Sequence, residues 1–120
     1  MNEPTLFFAL VGVFLMFVGL PMMLRRIPPN GFFGLRVPAT FKDTEVWYDA
    51  NAASGRDMLL FGMFVVLFSL VPPLFGWSGE THWLAWSLVI GVGAVLTSVL
   101  GWRRANRMLR AKRAERGPQA

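Results

Sequence analysis

The chain has 120 residues, enough for one domain, and hydrophobic residues make up 54% of it against 16% charged; a soluble domain carries about 25% charged residues. There is no cysteine, which excludes disulfides, thiolate chemistry and cysteine-ligated metals. The net charge of +5 takes its meaning from placement, because the basic residues stand beside long apolar runs.

Three runs hold no Asp, Glu, Lys or Arg: residues 5–24, 58–77 and 81–102. Each matches the ~20 residues a helix needs to cross a ~30 Å hydrocarbon core. The predicted fold is all-α, an integral membrane bundle with spans at 5–24, 58–76 and 82–102. A cytoplasmic loop and interfacial helix at 25–57 join the first two spans. Residues 1–110 form the single domain, and 111–120 are expected to be a basic disordered tail.

The first span follows Met1-Asn2-Glu3-Pro4, which offers no basic segment, and no A-x-A site follows it. It reads as a retained helix rather than a secretory signal. Pro28 and Pro29 forbid its continuation. Asn30-Gly31 and Gly34 supply turn chemistry, and Phe32, Phe33 and Val37 are too apolar for a freely solvated loop. The loop is expected to fold back on helix ends or headgroups.

A helix is expected from Asp43 or Thr44, with one of these as cap and Glu45 at the positive end of the helix dipole. No proline lies between Pro38 and Pro72, so this helix can run unbroken into the second span. Trp47, Ala50, Asn51 and Ser54 share one face of it. Pro72-Pro73 limits the regular apolar part of that span to about residues 58–71.

All 12 basic residues fall in two segments. Arg25, Arg26, Arg36, Lys42 and Arg56 precede the second span. Arg103, Arg104, Arg107, Arg110, Lys112, Arg113 and Arg116 follow the third. The remaining connections carry only Glu3 and Glu80. Basic connections stay inside, which places the N-terminus outside and the C-terminus in the cytoplasm. Trp77, Trp83, Trp86 and Trp102 stand at span ends, where indoles favour the headgroup region. Close packing in lipid relies on small residues, and here they recur at sevens. The series are Thr5, Gly12, Gly19; Gly55, Gly62, Ser69, Gly76; and Ser87, Ala94, Gly101, with Gly91 and Ser98 alongside. Such seams also permit a homo-oligomer.

The connection between the first two spans carries Pro28-x-Asn30-x-x-Phe33-Gly34-x-Arg36, then Thr40, then Trp47-x-x-Ala50-Asn51 and Ser54-Gly55. This resembles the signature of the SdpI/YfhL family, in which P-x-N-x-x-[FY]-G-x-R-x-x-x-T precedes W-x-x-A-N and a small pair. The resemblance implies a bacterial cell-membrane protein conferring immunity to a membrane-active peptide toxin, or signalling about it, by binding without catalysis. A peptide toxin or a cytoplasmic regulator would be its partner. The alternative is an accessory subunit of a bacterial membrane complex. A small transporter ranks below both, because no ionisable side chain sits at mid-depth where ion coupling occurs.

Residue by residue, structural readings compete with ligand-binding ones. Arg36 can grip a phosphate with its planar fork; alternatively it pairs with Asp43, Glu45 or Asp49, or caps the first helix. Asn30 and Asn51 are expected to bind loop backbone. Trp47 is expected to anchor at the interface. Pro28, Gly34 and Gly55 shape the backbone. His82 has no partners for a metal site and reads as an interfacial polar residue. Arg103, Arg104, Arg107 and Arg110 are expected to contact anionic headgroups, at ~1 kcal/mol per basic residue. No nucleic-acid partner, cofactor, metal or catalytic constellation is expected.

Overall fold

The computed structural model describes residues 3–76 and 79–117. Trp77 and Ser78, and with them the reading of Trp77 as an interfacial residue, lie outside the described residues. Among the described residues five helices follow one another: α1 (Glu3–Met23), α2 (Pro38–Lys42), α3 (Thr44–Ser69), α4 (Val71–Leu74) and α5 (Gly79–Arg116). Among the described residues three helices, α1, α3 and α5, are long and apolar enough to cross a membrane. The chain is a multi-pass membrane protein with a three-helix core, in a rod of 62 × 22 × 20 Å.

α1 stops in a defined way. Arg25 takes a left-handed conformation at φ 60°. Its N–H donates to Met22 O and the Arg26 N–H donates to Pro21 O, the paired bonds of a Schellman cap. A non-glycine residue costs about 1–2 kcal/mol in this region. Arg25 offsets part of that cost by reaching Asp49 on α3, at 2.6 Å. α3 starts where Asp43 Oδ1 accepts the N–H groups of Glu45 (2.9 Å) and Val46 (3.2 Å), satisfying two of the donors a helix start leaves open. With no internal proline it runs 26 residues, as the sequence predicts.

α1 and α3 are antiparallel and packed backbone to backbone. A Cβ at Gly12 would stand 2.7 Å from Gly62 O, and one at Gly19 would stand 2.6 Å from Gly55 O. Thr5 and Ser69, which continue the seven-residue steps of the two seams, are both fully buried. The seams expected on the first two spans are therefore the real interface as far as Ser69, while Gly76, expected to continue the second, lies beyond α4 at φ 68° with open space around it. Of the third seam Gly101 alone is buried, where a Cβ would stand 3.0 Å from Ser54 Oγ. Ser87, Gly91, Ala94 and Ser98 are exposed, and a Cβ at Gly91 would meet nothing. Besides Gly101, α5 buries His82, Trp86, Ala105 and Leu109, and the ring of Phe61 lies against Gly93. The reason is partner bulk: α3 presents the Phe61 ring and Ser54 to α5, and their spacing selects which small residues turn inward.

Two further expectations change. Trp86 and His82 are buried rather than interfacial, His82 lying over the Phe8 ring at a centroid distance of 6.1 Å. α5 continues to Arg116, so residues 111–116 are helical where a disordered tail is expected. Lys112 pairs with Glu45, and Arg116 with Asp43 at 2.6 Å, which fastens this extension to the start of α3.

Candidate functional site

The signature residues lie at one end of the bundle, where the loop between α1 and α2 is bound to α3. Asn30 shapes the first turn by itself. Its Oδ1 accepts the N–H groups of Phe32 (2.8 Å) and Phe33 (2.7 Å), and its Nδ2 donates to Pro28 O at 2.8 Å. This is the side-chain mimicry of a turn that asparagine performs.

Gly34 follows at φ 104°, a conformation open to glycine. Any Cβ there would stand 2.6 Å from Asn51 Oδ1 and 3.5 Å from Trp47 Cζ2. The close approach lets Leu35 N–H donate to Asn51 Oδ1 at 2.6 Å. Asn51 Nδ2 donates to Trp47 O at 2.9 Å and, at 3.4 Å, to Leu35 O. Leu35 O also accepts from Thr40 Oγ1 at 3.0 Å. One buried amide and one buried hydroxyl thus serve both backbone groups of Leu35, which meets the requirement that buried polar groups be paired.

Trp47 is fully buried and its Nε1 donates to Ile27 O at 2.8 Å. It is a structural pillar of the loop, not an interfacial anchor. Buried indoles need such a partner. Ala50 joins Ala39, Val46, Ala105 and Leu109 in an apolar cluster under the loop. Gly55 brings α1 close, since its Cβ would strike Met23 N at 2.5 Å. Phe33 is half-buried.

Arg36 is different. It is exposed and its Nη1 donates to Gly31 O, so its partner is none of the expected carboxylates. Those are taken: Asp43 by Arg116, Glu45 by Lys112 and Asp49 by Arg25. Arg36 also lines a hollow of about 290 Å³, together with Val37, Ser98, Val99 and Trp102. The signature therefore consists of a lock turned inward and one cation turned outward.

The basic extension divides likewise. Arg104 turns inward to Asp57 at 2.8 Å, which removes it from the set expected to meet headgroups. Arg103, Arg107 and Arg110 are exposed on one face. Sequence reasoning missed Asp57 as the partner of Arg104, because the two are 47 residues apart and no local spacing connects them. Asp43 titrates below the usual carboxylate range, held there by the Val46 N–H it accepts, and also by Arg116 and the Glu45 N–H, against the opposing effect of burial. Lys112 is raised, mainly by its bond to Glu45. Among the described residues no cluster of three His, Asp or Glu side chains converges as a metal site would require.

A family model described as the SdpI/YfhL protein family matches residues 26–101, which takes in the loop, α3 and most of the apolar length of α5. No curated protein and no solved structure matches the chain.

Proposed function

The chain belongs to the SdpI/YfhL protein family, and on that premise we propose that it is a bacterial cell-membrane protein of the immunity or signalling type, acting by binding and not by catalysis. In this reading the N-terminus is outside, and the locked loop and the basic end of α5 face the cytoplasm. The placement of every basic residue on the two connections assigned to that side supports it. The partner is a membrane-active peptide or a cytoplasmic regulator that senses one.

One observation carries the reading. The polar side chains of the signature are spent on the chain's own backbone, except for Ser54, whose Oγ is shielded, and most of the Arg36 guanidinium, which is exposed. A locked loop that holds Arg36 exposed suits recognition of carboxylate or carbonyl oxygens, which arginine binds with a fixed fork. The test is survival of a strain sensitive to a membrane-active peptide. Wild type raises survival, and Arg36→Ala at equal membrane abundance does not. Equal protection by Arg36→Ala would remove Arg36 from the function, and no protection by wild type against any such peptide would remove immunity.

A further inference from the structure

The signature loop turns back towards the bilayer. The chain leaves its first uncharged run at Leu24, and Ile27 O is met by Trp47 Nε1 on α3. Further along the loop, Leu35 is met by Asn51, one α3 turn, about 6 Å, nearer the apolar part of that helix. A Cβ on Gly101 would stand 3.5 Å from both Leu35 Cδ atoms, and Gly101 lies inside the uncharged run of α5. Phe32–Leu35 also line one cavity with Val18 and Met22 of α1 and Thr97 and Ser98 of α5, four residues that all lie inside uncharged runs. The loop therefore stands beside the ends of the spans and not beyond them.

What the loop presents at that depth is apolar. Phe32 is 94% exposed, and beside a membrane span the medium that covers such a ring is lipid. The backbone is prepared for the same medium. In hydrocarbon no water can bond a peptide group, so each must be satisfied within the protein. The N–H groups of Phe32, Phe33 and Leu35, the large apolar residues of this stretch, are all taken by side-chain oxygens of Asn30 and Asn51. A loop in water needs no such provision, because water serves its backbone. Arg36 comes next in the chain and lines a hollow with Trp102, the last residue of the α5 run and itself exposed. That sets Arg36 at the level of the headgroups, where indoles collect and arginine heads snorkel.

We propose that Phe32–Leu35 is a re-entrant tip inserted into the adjoining leaflet, with the Phe32 ring among the acyl chains and Arg36 at the phosphates. The bonds from Asn30 and Asn51 are then what allows this backbone to enter lipid, which gives the inward-turned lock a purpose beyond holding shape. A partner that reaches Arg36 meets it at the headgroups. The inference rests on the chain spanning the bilayer. It holds for either orientation and does not depend on the immunity reading.

The chain has no cysteine, so a single nitroxide can be placed at Phe32→Cys in the full chain, reconstituted in vesicles of phosphatidylcholine and phosphatidylglycerol. Collisions with oxygen, which concentrates in lipid, should exceed those with a water-soluble nickel chelate, and should place the label about 5–10 Å below the phosphates. The references are Val95→Cys, exposed within the α5 run, and Lys42→Cys, exposed on α2. A label at position 32 as open to the chelate as the one at position 42 overturns the proposal. Adding Asn51→Ala should raise chelate access at position 32, and unchanged access would overturn the role given to the lock. Labelling removes the Phe32 ring, so the wild-type chain is measured as well. With ring-labelled phenylalanine in bicelles, the Phe32 signal, assigned by its loss in Phe32→Leu, should show cross-relaxation to acyl methylenes. Cross-relaxation to water alone overturns the proposal too.

Discussion

Replacing Asn51 by alanine removes the side chain that holds the loop to α3. Leu35 N–H loses its acceptor at 2.6 Å, and Trp47 O and Leu35 O each lose a donor. Leu35 O keeps Thr40 Oγ1, so one backbone group is fully orphaned. Leaving a buried donor unsatisfied costs about 1–3 kcal/mol, and the other lost bonds bring the expected loss of loop docking to about 2–3 kcal/mol. Hydrogen exchange in detergent micelles measures it directly. The Leu35 amide should exchange about 30- to 140-fold faster, and the amides of Phe32 and Phe33, bonded within the Asn30 turn, should change less. Asn51→Asp keeps the acceptor for Leu35 N–H but sets a carboxylate against two carbonyls, and should fall between alanine and wild type. If Leu35 exchange in Asn51→Ala matches wild type, the loop is held by something other than this amide and the reasoning fails.

Gly19→Ala or Gly55→Ala places a methyl against backbone at 2.5–2.6 Å. Each should destabilise the bundle by about 1–3 kcal/mol in unfolding titrations with a denaturing detergent, whereas Gly91→Ala, with open space around it, should stay within about 0.5 kcal/mol. Gly34→Ala, strained at φ 104° and pressed on Asn51 Oδ1, should accelerate Leu35 exchange as Asn51→Ala does. The depressed Asp43 stabilises the fold above the ordinary carboxylate value, and that contribution disappears as pH falls through the lowered value. Spin labels on α3 and near the end of α5 should show the extension leaving α3 at acid pH, and Asp43→Asn should flatten that pH dependence. Arg103, Arg107 and Arg110 changed together to Gln should weaken binding to anionic vesicles by about 1 kcal/mol per residue, read by flotation, while Arg104→Gln should act instead through Asp57.

The three spans are legible because lipid as solvent demands long uncharged runs, which few other structures use. The α1–α3 seam is legible because antiparallel helices meeting at small residues repeat the same seven-residue step on both partners. On α5 the glycines and serines offer several faces, and the choice rests on the Phe61 ring, which the α5 sequence does not reveal. Asn51 is legible as a loop clamp because a polar amide on the face shared with Trp47 needs backbone partners. Trp47 itself is misread, since a buried indole and an interfacial one have the same local pattern and only the Ile27 carbonyl distinguishes them. The partners of Arg104, Lys112 and Arg116 are set by chain crossings tens of residues apart, which composition and spacing do not encode. Those same crossings explain why residues 111–116 are helical: two ion pairs tie them to α3.

Impermeant thiol labelling of single-cysteine variants in intact cells tests the placement of the locked loop on the inner face most directly. Lys42→Cys should stay unlabelled until the membrane is permeabilised, and Glu80→Cys should label at once. Labelling of Lys42→Cys in intact cells, with Glu80→Cys protected, would put Arg36 and its lock on the outer face and contradict the account.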